Sequence, residues 1–143
     1  MLSKHKRVVS PTDVPAEDIG GFPGFRLRRV AEPTIPGSSQ MVRVNHDTIA
    51  PGGGCHRHVH NLCEENWFVL SGTGHFYCGG KLTAVKAGDC MYAEKGAVHQ
   101  IINSGKDDLV FLTVTVPPCD FENDVIFVEA FDYDMQLAGA ERD

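Results

Sequence analysis

Gly52-Gly-Gly-Cys-His-Arg-His-Val-His-Asn-Leu-Cys-Glu-Glu-Asn-Trp-Phe-Val-Leu-Ser-Gly72 decides how the rest of the chain is read. It sets histidines at alternate positions (His56, His58, His60), follows them with Glu64 and Glu65, and then runs into an apolar segment that ends at a glycine. Neutral imidazoles and carboxylates are the usual ligands of divalent first-row metals. Side chains two apart on an extended chain point the same way, so the pattern predicts a metal site on one face of a sheet. The alternative is a polar loop with a chance run of histidine. Strict period two with Glu65 close behind favours the metal.

Outside this stretch, composition sets the limits. A chain of 143 residues is long enough for one domain with a core and too short for two ordinary ones. With 42% hydrophobic and 22% charged residues, it reads as a soluble globular protein. A net charge of −6 gives no basic face for phosphates, so no nucleic-acid partner is expected. The basic cluster Lys4-His-Lys-Arg7 reads as a solvated tail. Val-Val-Ser-Pro follows it where a secretory signal would be apolar, and no window is long enough to span a membrane. Cysteines 55, 63, 78, 90 and 119 are odd in number and lack a framework spacing, so free thiols in a cytoplasmic protein are expected. Cys55 and Cys63 flank the histidines, which raises a structural zinc site. The close Cys pair such a site favours is absent.

Along the chain, 1–24 reads as an arm rich in proline and glycine, leading to a short strand at 25–30 and a loop at 33–39. Residues 41–49 alternate as a strand, with Val42, Val44 and His46 on one side and Met41, Arg43 and Asn45 on the other. After Pro51 and its glycines come short strands at 65–70, 75–78, 81–85, 90–93, 98–103 and 109–116, with Gly79-Gly80 as a two-residue hairpin turn. Pro117-Pro118 stops the ladder, and 124–131 reads as a last edge strand before a polar end. No segment keeps a helical period over ten residues. The expectation is one all-β domain, a sandwich or barrel. Residues 1–39 are its arm and first strands, 40–131 its barrel and 132–143 its tail.

A second stretch, Gly88-Asp-Cys-Met-Tyr-Ala-Glu-Lys-Gly-Ala-Val-His-Gln-Ile-Ile-Asn103, completes a pattern. Together the two stretches resemble the paired signature of the cupin superfamily. The first motif, G-x₅-H-x-H-x₃₋₄-E-x₆-G, is matched by Gly52, His58, His60, Glu65 and Gly72. The second, G-x₅-P-x-G-x₂-H-x₃-N, is matched by Gly88, Gly96, His99 and Asn103, with Glu94 in place of the proline. That proline shapes a turn and is not a ligand, so its loss bears on the turn and not on the metal. Taking His56/His58 as the pair would put Ala50 at the first glycine, and taking Glu64 would put Ser71 at the last. The resemblance covers roughly 40–117. It implies a double-stranded β-helix (jelly-roll barrel) in which His58, His60, Glu65 and His99 hold one metal. His56 is left over, facing the cavity or pointing to solvent.

Three imidazoles and one carboxylate leave about two positions of an octahedron open, as a catalytic metal requires. The ligand set suits Fe, Mn, Ni, Co or Zn and does not choose among them. Parity puts Trp67 and Val69 on the Glu65 face, and Ile101 and Asn103 on that of His99. Trp67 and Ile101, with His56, are therefore the candidate cavity residues, ordinary core packing being the alternative for Trp67. Tyr77, Tyr92 and His75 are the candidates for a general acid or base, with surface or core roles as the alternative. The resemblance implies a small-molecule substrate rich in oxygen, acted on by a dioxygenase, isomerase, lyase or cyclase. A non-catalytic ligand-binding or sensing role is the rival. It also implies a homodimer, with the proline-rich arm available for strand exchange.

Overall fold

The computed structural model describes residues 8–120 and 123–140, so the Lys4–Arg7 cluster lies outside the described residues. Its strands are β1 (Glu17–Asp18), β2 (Phe25–Ala31), β3 (Arg43–Ile49), β4 (Arg57–Val59), β5 (Glu64–Ser71), β6 (Thr73–Cys78), β7 (Lys81–Lys86), β8 (Cys90–Ala93), β9 (His99–Ile102), β10 (Leu109–Val116) and β11 (Ile126–Glu129), nine of them where alternation and turn residues put them, with β1 inside the expected arm and β4 in the histidine stretch as additions. Gly79 and Gly80 have φ of 60° and 82°, as the tight turn joining β6 to β7 requires. Antiparallel pairing builds two sheets, ordered β1-β2-β3-β10-β5-β8 and β11-β4-β9-β6-β7. They pack face to face in the double-stranded β-helix arrangement expected from the sequence.

The space between the sheets is graded along its length. Register stacks the inward residues of β3, β10 and β5 in rows: Arg43–Thr115–Glu65, then Asn45–Thr113–Trp67, then Asp47–Phe111–Val69. One end of the barrel is therefore polar. The other is filled by an apolar core that includes Phe25, Leu27, Ile49, Ile101, Leu109 and Phe111. Of the two faces of β3, the buried one carries Arg43, Asn45 and Asp47, and the valine face is half-exposed.

Burial pushes the Asp47 carboxyl up to about 8, with the Glu65 charge adding to it and the Thr113 hydroxyl, which donates to it at 2.6 Å, opposing. A carboxyl raised in the fold binds a proton that the unfolded chain has released. Its contribution to stability is thus complete below about pH 4 and lost as pH rises towards 8. Urea midpoints of metal-stripped protein at pH 5 and pH 8 are expected to differ more in wild type than in Asp47→Asn. The difference is on the order of 4 kcal/mol at most, from about 1.4 kcal/mol per pH unit. Equal slopes would show that Asp47 ionises freely.

The end of the chain departs from the polar tail expected. Asp132 caps a single helical turn, α1 (Tyr133–Gln136), by accepting from the Met135 amide. That turn buries Leu137 completely and hydrogen-bonds Gln136 to Gln100 of β9 at 2.7 Å. Four residues are too few for a helical period to be read in the sequence. No helix among the described residues is long and apolar enough to cross a membrane.

Candidate metal centre

β4 carries His58, directly opposite His99 of β9, and His60 follows one residue past its end. Glu65 enters from β5 in the other sheet. All four are buried, and the ligand atoms they offer lie within 4.8 Å of one another. Each ring is anchored by its Nδ1, which donates to a backbone carbonyl: His58 to His56 at 2.7 Å, His60 to Asp124 at 2.6 Å, and His99 to Ala97 at 3.0 Å. A carbonyl only accepts, so Nδ1 carries the proton and an uncharged ring keeps its lone pair on Nε2. Those of His60 and His99 face Glu65 Oε1 at 3.1 and 3.2 Å. Lone pairs turned on a carboxylate oxygen need a positive charge between them, whether protons on the rings or a cation. The donor set therefore fits a divalent metal.

The protonation behaviour agrees. Burial alone would raise Glu65, but hydrogen bonds and attraction from His60 and His99 outweigh it and hold the carboxyl well below its usual range. Burial likewise opposes charge on His60, and Glu65 overrides it and raises the ring. Burial pushes His58 down to about 3, and the adjoining His99 and His60 rings push it the same way. His58 is thus kept neutral, as a metal ligand must be.

Thr115 fixes the carboxylate by donating to Glu65 Oε2 at 2.9 Å, which leaves Oε1 turned to the imidazoles. Removing the partners that orient metal ligands costs about 10–100-fold in metal affinity. Thr115→Val is expected to lose affinity in that range, measured by competition with a chromogenic chelator. Unchanged affinity would mean that the carboxylate is oriented by its strand alone.

A cavity of about 390 Å³ opens on the centre, lined among others by His60, Glu65, Thr115, Arg43, Asn45 and Arg29. The sequence reading did not single out Arg43, Asn45, Thr115 or Asp124. A polar side chain at buried parity in a strand is the signal that finds the first three. Asp124 reaches His60 from 64 positions away and leaves no local signal. It also accepts the amides of Asn61 and Leu62 on its carboxylate at 3.0–3.1 Å. His60, Cys63 and Asp124 form a second group of possible ligands, which shares His60 with the first. Burial raises the Cys63 thiol, as do the Glu65 and Asp124 charges, so it stays protonated and poorly suited to bind metal.

The candidates named from residue type and parity scatter. Trp67 is buried beside the centre, its ring 5.2 Å from that of His99 and 6.4 Å from that of His58. Ile101 is fully buried in the apolar core. His56 packs its ring between Phe22 and Phe127 at 5.0 and 5.3 Å and accepts the Phe131 amide on Nδ1, away from the four ligands. On β6, Phe76 points into the core, so His75 and Tyr77 lie on the opposite face of the strand, where His75 is buried and Tyr77 partly exposed. His75 is hydrogen-bonded to Ser104 at 2.6 Å, and Tyr77 lies under the Arg57 guanidinium at 3.6 Å. Tyr92 lies on the outer face of β8, half exposed and donating to Glu64 at 2.7 Å. None of these three lines the cavity. All five cysteines are free, with Cys55 and Cys63 buried. Burial pushes Cys55 up to about 12, as befits a small core residue. At Glu94 the turn still closes: Gly96 takes φ 79° and donates to the His60 carbonyl at 2.8 Å.

Known proteins are similar to this chain in sequence and fold. The family model for the cupin domain matches residues 45–115, which hold all four candidate ligands. An oxalate-binding protein of Thermotoga maritima is 37% identical over 68 residues, 48% of this chain and 56% of the relative. The chain thus spans little more than half of that relative's length. Among solved structures, a predicted oxalate decarboxylase from Thermotoga maritima superposes with a TM-score of 0.69 at 27% identity, covering 77% of this chain and 98% of the other. The polyketide cyclase RemF from Streptomyces resistomycificus superposes with a TM-score of 0.72 at 21% identity, covering 93% and 92%, a likeness of fold. With its paired motifs, two facing antiparallel sheets and inward His₃Glu cluster, the chain belongs to the cupin superfamily.

Proposed function

We propose that this chain is a mononuclear metal-dependent enzyme acting on a small oxygen-rich organic substrate. The observation that carries the reading is the anchoring of the four donors: three rings held by carbonyls and one carboxylate held by Thr115, beside a cavity of about 390 Å³. Donors held this rigidly suit a site that must keep its geometry while ligands exchange at the open positions. A bound divalent metal would supply Lewis acidity or, as iron, a place for dioxygen, at about two positions the protein leaves open. The side chains do the rest. His58, kept neutral by burial, stays available as a ligand across the physiological pH range. Glu65 lowers the net charge of the centre, and the buried Trp67 keeps water from its inner side. Dioxygenase, isomerase, lyase and cyclase chemistry all suit such a centre, and the 27% identical predicted decarboxylase favours the lyase branch.

The test is direct. Protein loaded in turn with Fe, Mn, Ni, Co and Zn is expected to hold about one ion per chain by elemental analysis. Oxygen uptake with diketones, thiols and catechols then separates oxygenase from Lewis-acid chemistry. Failure to retain any of the five metals would sink the proposal. A second reading, a binding protein without turnover, is favoured by the 37% identity to an oxalate-binding protein. Tight ligand binding by the loaded protein with no product from any of these substrates would establish it.

A further inference from the structure

At the polar end of the barrel the six-stranded sheet is more apolar outside than inside. β10, an interior strand, turns Thr113 and Thr115 inward and Val110, Leu112, Val114 and Val116 outward. Register sets Leu112 beside Phe68 and Val114 beside Val44, with Tyr92 next to Asn66 at the β8 edge. Phe68, Leu70, Tyr92 and Val116 are 41% to 51% exposed. An antiparallel sheet with one face in water alternates apolar inside with polar outside. Here the outward positions of β3, β10, β5 and β8 hold one acid, Glu64 at a corner, and no lysine or arginine.

The other sheet is closed by its own chain. On β9, Gln100 and Ile102 alternate with the inward His99 and Ile101 and are fully buried, with Gln136 of the C-terminal turn bonded to Gln100. The arm is also engaged within its own chain, β1 pairing with β2. The outer face of the six-stranded sheet is what remains open.

Its size suits a protein partner. Four strands and the run from Val110 to Val116 give a face of roughly 15 by 20 Å, about 300 Å² before side-chain relief is counted. Contiguous apolar patches of a few hundred Å² are commonly interaction sites. A standard interface buries about 800 Å² on each partner, with an apolar centre depleted of charge inside a polar rim. The face supplies such a centre, and β2 and the strand ends supply the rim.

Charge selects a second copy as that partner. A two-fold contact lays a surface on itself, so charges near the axis meet their own like. This face has none there. Its charges lie at opposite corners. Arg26 and Arg28 face outward on β2 beside Thr48 and His46, and with Asp18 across from Arg26 they leave that corner net positive. Glu64 and Glu94 flank Tyr92 at the other corner, about 20 Å away both along and across the strands. A two-fold axis lying in the face, square to the line between the corners, sets each positive corner over the partner's acidic one.

We propose that this face is the interface of a homodimer, with Phe68, Leu112 and Val114 at its centre and the Arg26 and Glu94 corners paired across the two-fold axis. Glu65 faces the opposite side of the sheet, so dimerisation and metal binding are separable.

Sedimentation velocity from about 1 to 100 µM tests it, and wild type is expected to be dimeric over most of that range. Phe68→Lys, which buries an unpaired ammonium in the contact, is expected to raise the dissociation constant at least about a hundredfold. Ile126→Lys and Val128→Lys, at equally exposed apolar positions on β11, are expected to leave it within about twofold. Arg26→Glu is expected to weaken the dimer about threefold or more, and Glu94→Arg added to it to restore the loss. Should Phe68→Lys not fold, the Arg26 and Glu94 exchange still decides. A wild type that stays monomeric at about 100 µM would give the face to another occupant and overturn the proposal. So would a dimer indifferent to Phe68→Lys, one broken by the β11 lysines instead, or an Arg26→Glu loss that Glu94→Arg leaves unrestored.

Discussion

His99→Ala is expected to lower bound metal from about one ion per chain to less than a tenth after dialysis, a loss of at least about a hundredfold in affinity. The ring is 1% exposed, tied by Nδ1 to the Ala97 carbonyl and set by its Nε2 at 3.2 Å from Glu65 Oε1. Removing it takes away a donor and also one of the two rings that orient Glu65. Partners that only orient a ligand already cost about 10–100-fold, so loss of a ligand must cost more. His56→Ala is the matched control, because the His56 ring stands outside the cluster and holds His58 only through its backbone carbonyl, which alanine keeps. Its metal affinity is expected to stay within about twofold of wild type. Elemental analysis with chelator competition measures both. Equal losses in the two variants would remove the basis for the assignment.

Asn103→Ala is expected to destabilise the fold by about 3–5 kcal/mol, read as a drop in urea midpoint at constant slope. Asn103 is the last residue of the second motif and is fully buried. Its Nδ2 donates to the carbonyls of Ile49 and Asp107, both at 2.8 Å, and its Oδ1 accepts the Gly105 amide at 2.9 Å. Its backbone exchanges hydrogen bonds with the loop before β4, donating to Gly53 at 2.9 Å and accepting from Gly52 at 3.0 Å. One side chain thus ties the end of β3 to the turn after β9, and the backbone adds the glycine loop that leads into the histidines. Alanine leaves three polar backbone groups unpaired, each costing about 1–3 kcal/mol where water cannot reach. Asn103→Asp keeps the acceptor but turns an acceptor-only oxygen on the two carbonyls, so it is expected to cost at least as much as alanine. A loss below about 1 kcal/mol for alanine would mean that water replaces the side chain.

The motif residues therefore divide into two jobs that spacing alone did not separate. His58, His60, Glu65 and His99 converge, and the resemblance to the paired cupin motifs was what named them, since period two alone left His56 and Glu64 equivalent. Gly72 and Asn103 hold backbone. Gly72 takes φ 86°, and a β-carbon there would meet the Asp108 carbonyl oxygen. The strands were legible because glycine and proline punctuate them. What was not legible is which face of a strand looks inward. Hydropathy suggests no role for Arg43 and Asn45, because the barrel is polar inside at that end and Val44 of β3 faces outward. The same difficulty affects β6 and β8. Tyr77, His75 and Tyr92 have suitable chemistry, but Phe76, Met91 and Ala93 occupy the inward positions. Face is a property of the neighbouring strand and enters only with register.

The Asp124 carbonyl that holds His60 lies beyond residues 45–115, the segment that the family model matches and that contains every residue of the His₃Glu cluster. The centre thus has its donors in one stretch of chain and part of its scaffolding in another. Any equilibrium in which 123–140 lifts away from the barrel frees the His60 ring and, in a centre loaded as proposed, would weaken the hold on the metal. By reciprocity, an ion in the centre tightens that segment against the sheet. With the metal centre as proposed, metal affinity would gauge whether residues 123–140 are docked.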